Sequence, residues 1–127
     1  MSEDTKTTKR TKFGRLIRNN IPELFPEEEY RVVEGDTLKA YTRLRIWEVA
    51  RDLAKAKTNV DALNSCVDIL ELIATVMVQE NFAVRQVQNF AEQKNNEEGT
   101  FSAGNIHVSE KVVHTGDDAF TGSLEVE

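Results

Sequence analysis

The segment 60–79 constrains this chain more than any other. Val60, Leu63, Val67, Leu70, Ile73, Ala74, Val76 and Met77 recur through it, so a helix there is apolar over most of its circumference. Such a helix must be surrounded by protein, and a chain of 127 residues has little else with which to surround it. The expectation is that a second subunit covers part of it. The segment before it, 38–57, also reads as a long helix. Leu38, Tyr41, Leu44, Trp47, Ala50 (or Arg51) and Ala54 fall at helical spacing, and Ile46 and Leu53 widen that face. Asp36 or Thr37 is the expected N-cap of this helix, and Thr58 or Asn59 that of the next. Lys55 and Lys57 suit the negative end of the first helix dipole.

The other segments are shorter. Pro22 favours a helix start near Ile21, and 30–33 reads as a short extended piece. Asn81 is the expected cap of a third helix over 82–94, whose buried side would be Phe82, Val84, Val87, Phe90 and Ala91. A turn is expected over 95–100 and a loop over 101–108, anchored by Phe101. Residues 1–12 form a basic arm and 109–127 an acidic polar tail, in which Val112 and Val113 are the only strand candidates. The domain proper is therefore expected to span 13–108, in an all-α architecture.

Composition excludes several classes of function. The formal net charge of −6 argues against a general nucleic-acid binder, although Lys6, Lys9, Arg10, Lys12, Arg15 and Arg18 make the first stretch basic. The single cysteine, Cys66, forbids an intrachain disulfide and is expected to pack as a small hydrophobe. The apolar run 69–78 contains Glu71 and is too short to span a bilayer, so no membrane association is expected. The polar N-terminus has no signal-peptide pattern, and the expected location is the cytoplasm. His107 and His114 have no ligand-like neighbours at usable spacing and read as loop residues.

Both long helices carry pairs of carboxylates about one turn apart: Glu48 with Asp52, and Asp68 with Glu71. Residues three or four apart share a helix face, so two facing helices of this kind present four acidic side chains to one cleft. Such a cleft suits a hard divalent cation such as Mg²⁺, which takes oxygen ligands together with substrate phosphate. The same four are equally read as solvated charges. Asp68 lies among Val67, Ile69 and Leu70, where a bare carboxylate is costly, so it is expected to have a partner. Arg18, Arg85 and Lys94 are candidate phosphate contacts or plain surface cations, and Trp47 is expected in the core or an interface.

In order and spacing, three blocks resemble the MazG-like all-α nucleoside triphosphate pyrophosphohydrolases, which include relatives of phosphoribosyl-ATP pyrophosphohydrolase. Arg15-Leu-Ile-Arg-Asn-Asn-Ile-Pro-Glu-Leu24 resembles that family's opening K-L-V-R-D-K-I-P-E-I. Ile46-Trp-Glu-Val-Ala-Arg-Asp-Leu53 and Asn64-Ser-Cys-Val-Asp-Ile-Leu-Glu71 resemble its two acidic helices, and Glu98-Gly-Thr-Phe-Ser-Ala-Gly-Asn-Ile106 its closing R-G-G-F-x-x-G-I. The resemblance implies a helical bundle completed by oligomerisation as a dimer or tetramer. It also implies Mg²⁺-assisted attack of water between the α and β phosphates of a nucleotide, releasing pyrophosphate and a nucleoside monophosphate.

The chain departs from that pattern at the metal. The first E-x-x-E pair falls on Val49 and Asp52, and the following E-x-x-D pair on Ser65 and Asp68. Valine offers no oxygen and serine only a neutral one, so two negative charges are lost. Glu48 and Glu71 stand beside the motif as substitute ligands. Asn19 and Asn20 replace an acid and a base of the opening block, and Glu98 stands where an arginine is usual, while Arg18 and Lys94 are retained. The resemblance therefore leads to two expectations. One is an eroded Mg²⁺ site, on a protein that binds a nucleotide or a regulatory protein partner with little or no hydrolysis. The other is an active enzyme, with Glu48, Asp52 and Asp68 catalytic, Glu48, Asp52, Asp68 and Glu71 holding the metal, and Arg18 and Lys94 on phosphate. A helical scaffold with an inert cleft, whose basic arm binds a partner, is the third.

Overall fold

The structure, a computed structural model, describes residues 12–110. The regular elements among them are four helices: α1 (Ile21–Leu24), α2 (Gly35–Lys55), α3 (Asn59–Gln79) and α4 (Val84–Glu98). The described residues contain no strand, and the fold class is all-α. They fall in two compact units, one ending at Gln79 and the other beginning at Glu80. Most of the expected basic arm and acidic tail, with Val112, Val113 and His114, lies outside the described residues.

In the first unit α2 and α3 pack against each other. Only 56–58 joins them, and so short a connection forces two neighbouring helices antiparallel. The backbone N–H of Asp61 donates to Thr58 Oγ1 at 3.1 Å, the expected cap of the second long helix. The first long helix starts earlier than its apolar pattern. Gly35 takes φ +61°, a left-handed value that glycine adopts without strain, and Glu34 rather than Asp36 or Thr37 is the N-cap. Asp36 instead sits in the first turn, where it complements the dipole.

The interface between the two helices is narrower than their apolar content implies. Its centre is Thr42, Val49 and Ser65, and Val49 is the one fully buried apolar side chain among the described residues. Thr42 Oγ1 donates to the Leu38 carbonyl at 2.8 Å and accepts from Gln79 Nε2 at 2.9 Å. That bond sets the register of the hairpin. Stepping seven residues, which is two turns, puts Val49 level with Leu72, and the next step puts Ala56 level with Ser65. The expected inward face of α2 is thereby corrected. Leu44, Trp47 and Ala54 lie on the opposite side of the helix from Val49 and are exposed.

In the second unit, α4 begins at Val84 rather than Phe82. Asn81 is not its cap: it takes φ +59° in the preceding link, and Ala83 occupies the N-cap position. The helix continues through the expected turn to Glu98 and stops at Gly99, whose φ of +84° suits glycine and whose N–H donates to the Asn95 carbonyl at 3.0 Å. Phe82, Val84, Phe90 and Ala91 are exposed and Val87 is partly buried, so most of its expected buried side is exposed.

Candidate functional site: an acidic helix face crossed by the chain's own arginine

Helical phase decides which side chains meet beside the interface. Asp52 stands three residues beyond Val49, and Asp68 three beyond Ser65. In antiparallel helices the same offset from the inward face falls on the same side of the pair. Register then places Asp52 level with Ile69 and Asp68 level with Leu53, so the two aspartates occupy neighbouring levels of one face. Glu48 and Glu71 lie on that face too, about a turn from the aspartates along their own helices. Asp52 and Glu71 are exposed, whereas Glu48 and Asp68 are partly buried.

Arginines hold two of these carboxylates. Arg18 donates from Nη2 to Asp68 Oδ1 at 2.7 Å and from Nε to the same oxygen at 3.2 Å. Arg45 Nη1 donates to Glu48 Oε1 at 3.2 Å, the i, i+3 pairing that helix geometry favours. Arg18 arrives from the N-terminal segment, which lies against this face. A Cβ placed on Gly14 would stand 3.9 Å from the Tyr41 ring, and Tyr41 is on the Glu48 side of α2. Both members of the Arg18–Asp68 pair are more than a third exposed, so it contributes at most about 1 kcal/mol to stability. It nevertheless covers an Asp68 oxygen that a cation or a nucleophilic water would use.

Val49 and Ser65, which stand where the resemblance calls for carboxylates, are buried between the two long helices. They also do not face each other. The register sets them two turns apart along the hairpin, about 10 Å. Among the described residues no three His, Cys, Asp or Glu side chains gather closely enough to hold a metal ion.

The remaining candidates lie on other parts of the chain. Lys94 and Arg85 are exposed on α4, in the second unit, and Glu98 is exposed at its end. A shallow groove runs along α4 beside Phe90, with Arg85 on its wall. Trp47 is exposed rather than in the core, with the Arg51 guanidinium carbon 4.7 Å from its ring centre. Cys66 is also exposed, against expectation, because it lies about 100° around the helix from the inward Ser65. The buried Thr42–Gln79 pair had no sequence signal, whereas the Arg45–Glu48 spacing was readable.

Fold and site together define an all-helical protein with an acidic, arginine-paired face. No helix among the described residues is long and apolar enough to cross a membrane. Comparison of the chain with known protein families, with curated proteins and with solved structures finds no match.

Proposed function

We propose that this is a MazG-like helical module of the cytoplasm, assembled as a homo-oligomer, that works by binding rather than by hydrolysis. Its ligand is a nucleotide or a regulatory protein partner. One observation carries this reading. Val49 and Ser65, at two of the four places where the resemblance puts metal ligands, are buried between the long helices. A hydrocarbon and a neutral hydroxyl at such places fit, at most, a weakly held Mg²⁺. The Arg18 contact to Asp68 favours the same reading, because it satisfies a carboxylate that catalysis would need free.

A second reading, an active Mg²⁺-dependent nucleotide pyrophosphohydrolase, is favoured by the shared face of Glu48, Asp52, Asp68 and Glu71. One assay separates the two. Purified protein is incubated with a panel of nucleoside triphosphates and Mg²⁺ or Mn²⁺, and pyrophosphate release is measured. The expected result is no turnover above background. Turnover that disappears in Asp68→Ala would overturn the binding reading. Calorimetry with the same nucleotides then identifies the ligand class: heat of binding points to a nucleotide, and its absence to a protein.

A further inference from the structure

We infer that residues 12–20 form a strap that closes reversibly over the acidic flank of the α2–α3 hairpin, with the Arg18–Asp68 pair as its clasp. While closed, the strap denies Asp68 to a ligand, so the contact is autoinhibitory. The inference rests on the reading above only in taking this face as the one that binds.

The strap's own sequence suits that task. Lys12, Arg15 and Arg18 are spaced three apart, and 12–20 contains no Asp or Glu. The flank it meets bears Glu48, Asp52, Asp68 and Glu71, of which Glu48 is already offset by Arg45. Opposite charge draws such a strap back after each opening, and the attraction weakens as salt is added.

Its attachment is light. The strap contains no helix or strand, and among the described residues no backbone hydrogen bond ties it to α2 or α3. Leu16 alone is partly buried, whereas Phe13 is 91% exposed and Ile17 39%. Near one end Arg18 closes on Asp68 at 2.7 Å, and between the ends Gly14 lies beside the Tyr41 ring. At the other end Lys12 Nζ donates to Glu29 Oε1 at 3.1 Å, in the loop after α1. Both ion pairs are open to solvent. A segment with so little apolar burial and so few backbone bonds opens at a small fraction of the cost of unfolding the hairpin. The turn at Asn19 and Asn20, where the Ile21 N–H donates to the Arg18 carbonyl at 3.2 Å, is the end about which it swings.

Carboxyl labelling of the full chain reads the strap without nucleotide or partner, so its outcome is separate from that of the binding assays. The protein is treated with a water-soluble carbodiimide and glycine ethyl ester. Labelling of Asp68 is read by peptide mass spectrometry against Asp61, which is exposed at the start of α3. In the wild type the ratio is expected to rise by up to about five-fold between roughly 20 and 500 mM NaCl, the range open to an exposed pair. Arg18→Ala is expected to show the raised ratio already at low salt, with no further response to NaCl. Leu16→Ser leaves both charges of the clasp in place. It is expected to raise the ratio at least about two-fold at low salt, because the strap moves as a unit once its apolar anchor is lost. Circular dichroism checks that the helices persist in each variant, and should either fail to fold, the wild-type salt series still decides. A ratio that salt leaves unchanged would overturn the inference. So would a wild-type ratio in Leu16→Ser, which would reduce the contact to an ion pair that closes nothing.

Discussion

Restoring the carboxylates at Val49 and Ser65 is the most demanding test of the register described above. Val49 is 2% exposed, so Val49→Glu removes a packed valine and puts a carboxyl in its place. Losing the valine costs about 1.5 kcal/mol in apolar burial. Keeping the new carboxyl neutral at pH 7, as burial demands, costs about 4 kcal/mol against an ordinary glutamate. The sum is of the order of a small domain's whole stability. Ser65→Glu adds a similar carboxyl penalty at a position 9% exposed. If the two positions faced each other, a shared Mg²⁺ would recover part of that loss. At one hundred times its dissociation constant a ligand returns about 2.7 kcal/mol, an increase of some 10 °C or more in Tm for a domain of this size. The register instead sets the two positions about 10 Å apart along the hairpin, both buried, which leaves no room for the octahedral set of oxygen ligands that Mg²⁺ requires. The expected outcome is therefore strong destabilisation of the double variant, read by circular dichroism in urea and on heating, with no recovery in Mg²⁺ or Mn²⁺. A metal-dependent rise in Tm, present in the double variant and absent from the wild type, would refute both the register and the burial argument.

Other substitutions test single features of the hairpin. Thr42→Val removes the hydroxyl that bonds both Leu38 and Gln79, leaving Gln79 Nε2 without its partner beside an Oε1 that is already buried and unpaired. A loss of about 1–3 kcal/mol is expected from urea unfolding, and Thr42→Val/Gln79→Leu should recover part of it because no polar group is left stranded. Thr58→Ala deletes the cap bond to Asp61 N–H and is expected to cost about 1 kcal/mol by the same measurement. Arg18→Ala should cost less than about 1 kcal/mol, with the difference from wild type shrinking as salt is raised, since the pair it breaks is exposed. If the loss is larger and indifferent to salt, Arg18 packs rather than pairs.

The two long helices were legible because each signal for them is local. Helical apolar spacing, Thr58 as a cap and the short link at 56–58 all lie within a few residues of what they determine. The inward faces were not legible. In α2 the most apolar line runs through Leu44, Trp47 and Ala54, whereas the buried line runs through Thr42 and Val49. Thr42 belongs inside only because Gln79, 37 residues later, supplies its hydrogen bond, and no local pattern encodes that pairing. The same limit applies to the site. The carboxylate spacings could be read from sequence, and phase puts all four on one face. The engagement of Asp68 by Arg18, across 50 residues, is a tertiary fact. The misplaced start of α4 has a different cause. Asn81 is a favourable cap by type, but its left-handed φ of +59° belongs to the link before the helix, and the N-cap needs extended backbone.

These burial patterns divide α3 into separate lines. The positions of α3 that touch α2 repeat every seven residues, and so do Val60, Val67 and Ala74, offset by about half a turn. Asp68 and Glu71 lie between these two lines, on the flank that Arg18 crosses. A substitution on one line therefore leaves the side chains of the other in place, whereas a change on the flank alters charge without disturbing the contact with α2. Asp68→Asn illustrates the consequence. It removes the charge that holds Arg18 yet keeps the size of the side chain, so hairpin stability is expected to stay within about 0.5 kcal/mol of wild type. Any change in nucleotide affinity that accompanies it would then arise at the acidic face itself. If the substitution instead unfolds the hairpin, the flank and the inward line are coupled and this division of α3 is wrong.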